Sequence, residues 1–173
     1  LKGTEIFTSK YSDVKIVFFG NKISIEKIIS KKKINLSNFE ILNTNDDVQD
    51  ADNTSTILRS RKESSIYKGL EFVKLKHNSG FVSAGNTAAL MILSRLLIGT
   101  IEGIDRPAIC SLIPNKKNFS LMLDLGANVN VDASNLLQFA LMGYSYYSII
   151  DINNDPKIGI INIGTENNKG LEL

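Results

Sequence analysis

Short apolar runs alternate along the chain with segments of helical length. The runs that predict strands cover residues 14–19, 39–42, 80–84, 107–113, 120–125 and 157–163. They are nearly continuous in valine, isoleucine and leucine instead of alternating with polar residues, which is typical of strands buried on both faces in a parallel sheet. Segments with apolar side chains three or four positions apart predict helices over 24–33, 64–76, 86–98 and 132–147.

Particular residues mark the starts of these helices. Asp132 is predicted to cap the last helix, and Ser24 the first. The helix over 86–98 is apolar on all sides except at Ser94 and Arg95, as expected inside a large protein or at a subunit interface.

Strands and helices in alternation predict the α/β class. We expect a three-layer arrangement in which helices cover both faces of a mostly parallel, Rossmann-like sheet, built as a single domain over residues 1–173. The chain begins with Leu1 instead of methionine, and we expect it to be a piece of a longer protein.

Composition excludes several classes of function. The 173 residues carry a net charge of +2, from 20 basic and 18 acidic side chains, so no strong field for nucleic acid is expected. One cysteine and one histidine exclude a disulfide framework and multi-cysteine or histidine-rich metal sites. No signal peptide or membrane-spanning run is visible, and a cytoplasmic location is predicted.

Small residues mixed with asparagine, aspartate or threonine follow several of the predicted strands. They are Ser83, Gly85, Asn86 and Thr87; Asp124, Gly126 and Asn128; and Asn162, Gly164, Glu166 and Lys169. Arg106 precedes another strand, where Pro107 favours an extended backbone. Because ligands of parallel sheets bind where strands end and helices begin, we predict a shared anion site. Ordinary turns and helix caps are the alternative interpretation of each segment.

A protein nucleophile is harder to find. The sequence contains no dinucleotide-binding, phosphate-loop or nucleophile-elbow motif. Cys110 lies within an apolar run and is predicted to be buried, and His77 is predicted to pack or to complement a helix end. This pattern favours a reaction in which the bound anion is itself the nucleophile.

Five ordered segments resemble the bacterial phosphate acyltransferases. They are RSRKESSIYKGL (59–70), FVSAGNTAALM (81–91), GIDRPAI (103–109), LDLGANVNVDASNLLQFALMG (123–143) and KIGIINIGTENNKG (157–170). The resemblance implies transfer of an acyl group from acyl-[acyl-carrier-protein] to inorganic phosphate, giving acyl phosphate for phospholipid synthesis. It also implies a fold similar to phosphate acetyltransferases and isocitrate dehydrogenases, with no cofactor and no metal.

The resemblance also implies partners, and the sequence departs from the family at two positions. It implies a homodimer, peripheral contact with the inner face of the membrane, and supply of a downstream glycerol-3-phosphate acyltransferase. Ala88 stands where the family usually has glycine, and Asn130 where it usually has aspartate. The family's N-terminal strand and its C-terminal part are not among these residues.

Roles for the site residues follow from residue type and loop position. Phosphate is expected at Gly85, Asn86 and Thr87, with Arg106 as the positive charge. Asn128 and Asn162 are expected to donate hydrogen bonds, and Asp124 and Glu166 to orient neighbours or to pair with Arg106 and Lys169. The expected phosphate-binding set also includes Ser83, Gly126, Gly164, Arg61, Lys62, Ser64 and Ser65.

Two other functions stay open from the residues alone. A decarboxylating dehydrogenase of related fold would need a carboxylate trio for a metal and a nicotinamide site. A non-catalytic module that binds acyl carrier protein or a lipid surface would need neither.

Overall fold

The structure, a computed structural model, describes residues 1–152 and 155–161. Contacts within the chain divide it into two compact units, Leu1–Gly99 and Thr100–Leu173. The described parts combine helices with short strands, and the α/β class is confirmed.

The first unit contains one parallel pair of strands and five helices. In chain order these are α1 (Lys2–Lys10), β1 (Ile16–Gly20), α2 (Lys22–Lys32), β2 (Phe39–Asn43), α3 (Thr54–Ser60), α4 (Ser65–Leu75) and α5 (Thr87–Leu97). Strands β1 and β2 pair in parallel, from Ile16 opposite Phe39 to Gly20 opposite Asn43, and α2 forms the crossover between them.

The core of the first unit lies among α3, α4 and α5. Its buried apolar side chains are Ile57, Ile66, Leu70, Ala89 and Leu93. Phe81 packs against this cluster, and its ring occupies the space where Gly69 of α4 has no Cβ. The predicted apolar stripe of the helix over 64–76 is therefore the face that packs.

The second unit contains an antiparallel hairpin and a long helix. Strands β3 (Ser111–Pro114) and β4 (Phe119–Met122) pair with Ser111 opposite Met122. Helix α6 (Ala133–Ile150) follows. The predicted strands over 107–113 and 120–125 are thus shorter and antiparallel, because Asn115 Oδ1 accepts the N–H groups of Lys117 and Asn118 and reverses the chain.

The capping residues of the helices can be compared with the predicted ones. Asp132 caps α6 as predicted, and its side chain and that of Asn135 form a reciprocal capping box. The predicted cap Ser24 is wrong, because Asn21 caps α2 and accepts the Ser24 N–H at 2.9 Å. Helices α1 and α3 had no counterpart in the sequence prediction; Asn53 caps α3.

The predicted strand over 80–84 is wrong. The segment is irregular, and Val82 within it is 95% exposed, so its apolar side chain lacks the packing that a buried strand needs. Residues 157–161 are also irregular, and residues 162 and 163 of the same predicted strand lie outside the described part. No helix of the described part is both long and apolar enough to cross a membrane.

Two single-residue predictions also differ from the structure. Cys110 is exposed instead of buried. It lies directly before β3, in a segment without regular secondary structure. His77 is exposed in the turn after α4 ends at Leu75, so it does not pack.

Candidate functional site

The loop after β4 is held by the side chain of Asp124. One carboxylate oxygen, Oδ1, accepts the N–H of Ile109 at 2.9 Å. The other, Oδ2, accepts the backbone N–H of Asn128 at 2.7 Å and its amide Nδ2 at 3.0 Å. These hydrogen bonds therefore hold the loop of residues 123–131 against the segment 105–109.

Burial and hydrogen bonding shift the pKa of Asp124 in opposite directions. Burial raises the pKa of this carboxyl, but the hydrogen bonds from Ile109, Asn128 and Ala127 lower it more, so the pKa lies below its ordinary value. Asp124 is therefore an ionised acceptor at neutral pH, unsuited to donating a proton.

Asn128 connects Asp124 to the neighbouring segment. Its amide Nδ2 donates to Asp124 and also to the carbonyl of Pro107 at 3.0 Å. Because both amide hydrogens are engaged, donation to a ligand would require this loop to rearrange.

Arg106 lies on the segment that this network holds. Its Nη1 donates to the carbonyl of Asn130 at 2.9 Å. No carboxylate of the described residues forms an ion pair with it, Asp124 included. A guanidinium has five N–H donors, so Arg106 keeps most of its donors and its charge for an anion.

Gln138 is a contact of this segment that sequence reasoning missed. It lies on α6 and is only 9% exposed. Its Oε1 accepts the N–H of Asp105, and its Nε2 donates to Asp105 Oδ2, both at 2.7 Å. A glutamine inside a helix carries no sequence signal, because the same residue type is common at exposed helical positions.

A cavity of about 550 Å³ lies beside the same loop in the second unit. Asp124 and Asn128 contribute to its polar lining. Its apolar lining comes largely from β4, α6 and the segment 155–161, including Leu121, Phe139, Ala140, Ile158 and Ile160.

The residues predicted to bind phosphate at the start of α5 lie in the first unit. Asn86 caps the helix, and its Oδ1 accepts the Ala89 N–H at 2.9 Å. Ser83 Oγ accepts the Gly85 N–H at 3.1 Å, which bends the chain into the helix. A Cβ on Gly85 would lie 3.2 Å from Ile66 Cδ1, so a side chain here would require the Ile66 side chain to shift by a few tenths of an ångström.

Arg61 is surrounded differently from Arg106. Its Nε and Nη2 bind the two carboxylate oxygens of Asp52 at 2.7 and 2.8 Å, and its Nη1 binds Asp46 at 2.8 Å. The hydrogen bond to Asp52 is the main reason why the pKa of Arg61 is raised, and the same bond lowers the pKa of Asp52. Two aspartates thus already neutralise the charge expected to bind phosphate.

The predicted phosphate-binding residues after Arg61 differ in their exposure. Ser64 is fully buried and caps α4, donating to the Arg61 carbonyl at 2.6 Å. Lys62 is exposed, and Ser65 begins the helix partly buried. Only Lys62 among these three offers a charge to an anion.

The structure brings Arg106, Asp124, Gly126 and Asn128 together within the second unit. The residues at the start of α5 and those from Arg61 to Ser65 belong to the first unit, and a site shared with them stays a prediction. Asn162, Gly164, Glu166 and Lys169 lie outside the described residues. Within the described ranges, no three acidic, histidine or cysteine side chains cluster as metal ligands would.

Comparison with known proteins identifies the family. A family model described as "Fatty acid synthesis protein" matches residues 1–173. The chain is 39% identical over 173 residues to a phosphate acyltransferase of Caldicellulosiruptor saccharolyticus, covering all of this chain and 52% of that protein. It is 41% identical over 162 residues to the phosphate acyltransferase of Hydrogenovibrio crunogenus, covering 94% of this chain and 48% of the relative.

The match to Anaplasma phagocytophilum phosphate acyltransferase is also 41% identical, over 152 residues, 88% of this chain and 44% of the relative. The chain thus spans about half the length of the curated relatives it matches. These names confirm the resemblance to phosphate acyltransferases. By the match over its whole length, the chain belongs to the fatty acid synthesis protein family.

Proposed function

We propose that the protein carrying this chain transfers a fatty acyl group from acyl-[acyl-carrier-protein] to inorganic phosphate, forming acyl phosphate for phospholipid synthesis. The relatives named phosphate acyltransferase support the class of reaction. The observation that carries the proposal is Arg106, whose guanidinium contacts one carbonyl and, among the described residues, no carboxylate.

The proposed reaction needs no covalent enzyme intermediate. A phosphate oxygen attacks the thioester carbonyl carbon, the carbon–sulfur bond breaks, and the phosphate proton goes to the departing thiolate. Arg106 neutralises the phosphate and so favours its approach to the carbonyl. Positioning two bound reactants in this way is worth roughly 7–11 kcal/mol of the barrier.

Within the first unit, the start of α5 offers N–H groups of its own to an anion. Of the first N–H groups of this helix, that of Ala89 is capped by Asn86, while those of Thr87 and Ala88 have no hydrogen bond within the described part. Such N–H groups, with the helix dipole, favour an anion.

The cavity of the second unit is the proposed place for the acyl chain. Its apolar lining suits a hydrocarbon chain, and two of its polar lining residues, Asp124 and Asn128, lie in the loop that supports Arg106. The thioester would then lie beside this loop, next to the phosphate.

The partners belong to the same proposal. Acyl carrier protein and phosphate are the substrates, the protein acts as a homodimer, and peripheral contact with the membrane passes product to a glycerol-3-phosphate acyltransferase. Exposed apolar side chains on α6, such as Leu137 at 62% and Leu141 at 55%, support contact of this face with further protein surface.

A trapping assay tests the reaction. The protein is mixed with acyl-loaded carrier protein and phosphate, both proteins are removed by filtration, and hydroxylamine then traps acyl phosphate in the filtrate as the hydroxamate. We expect hydroxamate only when phosphate was present, together with release of the carrier thiol. Thiol release that is independent of phosphate, or oxidation of a nicotinamide substrate instead, would contradict the proposal.

A further inference from the structure

The backbone around Arg106 is held by side chains of other segments at every second residue. Gln138 accepts the N–H of Asp105 at 2.7 Å, Asn128 donates to the carbonyl of Pro107 at 3.0 Å, and Asp124 accepts the N–H of Ile109 at 2.9 Å. A neighbouring strand would make bonds of this spacing in a sheet. Here three side chains make these bonds to the backbone, and none of them binds the Arg106 side chain.

The contact with Gln138 is reciprocal. Its amide donates to the Asp105 carboxylate at 2.7 Å while its carbonyl accepts the Asp105 N–H at the same distance. Without these contacts the nearly buried amide would keep, of its described partners, only its long hydrogen bond to Ser134 Oγ, at 3.5 Å, which is costly. The pair therefore fixes the residue immediately before Arg106 to the middle of α6.

Arg106 itself is anchored weakly. Among the described residues its side chain has a single hydrogen bond, to the Asn130 carbonyl, so its direction depends on how the backbone on each side is held. Asn128 holds the C-terminal side and is tied to Asp124. Gln138 holds the N-terminal side.

We propose that Gln138 is a positioning residue for phosphate, acting through Asp105 to hold Arg106 against the loop of residues 123–131. This inference rests on the proposed function, since it takes Arg106 as the phosphate contact. Gln138 touches neither substrate; it keeps the guanidinium where its free donors converge on the anion.

The test begins with Gln138→Glu, which has nearly the same shape. It removes the amide donor and places a second carboxylate at hydrogen-bond distance from that of Asp105, where two like charges repel. We expect the KM for phosphate to rise about tenfold, the size of a lost hydrogen bond to a charged group, while the KM for acyl carrier protein changes less than about twofold.

A rescue variant separates positioning from general damage. In Asp105→Asn/Gln138→Glu, the amide introduced at position 105 donates to the carboxylate introduced at position 138, so the pair is restored with its roles exchanged. The KM for phosphate should return to within about threefold of the original value. A double variant that is as impaired as Gln138→Glu alone would overturn the proposal.

Two controls complete the design. Asp132→Ala removes the cap of the same helix and should lower the melting temperature without raising the KM for phosphate. In an Arg106→Ala background, Gln138→Glu should cause no further rise, because its effect passes through that guanidinium.

The outcomes distinguish this inference from the proposed function. If Arg106→Ala raises the KM for phosphate but Gln138→Glu does not, the inference fails and the function stands. If Arg106→Ala has no effect, the phosphate site itself lies elsewhere. Should Gln138→Glu not fold, Asp105→Ala at its exposed partner replaces it; an unchanged KM for phosphate there contradicts the proposal.

Discussion

Arg61 and Arg106 show how differently one residue type is used in this chain. Arg61 is held by both oxygens of Asp52 and by Asp46, so its charge stabilises a loop. Within the described part of the chain, Arg106 has one carbonyl partner and forms no ion pair with a carboxylate. The sequence placed both in the phosphate site; the contacts favour only Arg106 for that role.

Removing the charge of Arg106 tests its role directly. Arg106→Ala should raise the KM for phosphate, or lower kcat/KM, by at least roughly tenfold, because a charge-assisted hydrogen bond to the anion is lost. Arg106→Lys should recover only part of this, since an ammonium does not reproduce the planar fork. Steady-state kinetics with varied phosphate measure the effect; unchanged values in a folded Arg106→Ala protein would remove the residue from the site.

Removing Arg61 should affect stability in a pH-dependent way. The hydrogen bond with Arg61, followed by that with the Gln49 N–H, lowers the pKa of Asp52 below its usual value. Its stabilising effect is therefore complete above the unfolded pKa, about 3.9, and disappears as the pH falls through the lower folded pKa.

Thermal melts of Arg61→Ala and of the unmodified protein should accordingly differ at pH 7, and the difference should shrink as the pH falls below about 3.9 and through the lowered folded pKa of Asp52. A difference of the same size at all pH values would mean that packing, not the ion pair, stabilises this loop.

At the scale of elements, helix starts were easier to predict than strands. The cap at Asp132 is a local feature, because its side chain binds an N–H three residues away. The strand expected at 80–84 depended on a distant partner that the described structure does not provide, and Val82 is left exposed. Apolar runs indicate burial, but they do not reveal which strand, if any, lies alongside.

The site followed the same rule. Turn-forming residues placed Asp124, Asn128 and Arg106 in one predicted anion site; hydrogen bonds join the first two to the segment of Arg106, and anion binding there stays a prediction. Gln138 could not be predicted, because its contact with Asp105 joins positions 33 residues apart. Arg61 was assigned to phosphate because its neutralising aspartates lie 9 and 15 residues away, in a loop with no regular pattern.

Filling the cavity from α6 tests the proposed place of the acyl chain. Ala140 lines the cavity, and Ala140→Leu would reduce its volume. We expect kcat/KM to fall several-fold for long acyl chains and much less for short ones, since a few methylene groups lose their space.

Assays with carrier protein loaded with acyl chains of different length give this comparison. Ala133→Leu, the same substitution at an exposed position of α6 that does not line the cavity, is the control and should leave chain preference unchanged. An equal effect of Ala140→Leu on all chain lengths would exclude the cavity as the acyl site.

At the scale of the whole molecule, the proposal requires no side chain to form a bond with the acyl group. Cys110 is an exposed free thiol, and His77 lies in an exposed turn. Neither side chain has a role in the proposed reaction. Cys110→Ser and His77→Gln should each keep kcat/KM within about tenfold, the range expected for changes that affect folding more than chemistry. A loss of several orders of magnitude in either folded variant would identify a nucleophile or base that the proposal lacks.

Direct attack by phosphate is the central claim, and intact-protein mass spectrometry tests it most directly. In the first sample the protein is mixed with acyl-loaded carrier protein alone, quenched in acid, and its intact mass is measured. A second, parallel sample receives phosphate before the quench. The account predicts an unmodified protein mass in the first sample and acyl phosphate only in the second. A protein heavier by one acyl group in the first sample, lost when phosphate is added, would show a covalent intermediate and contradict it.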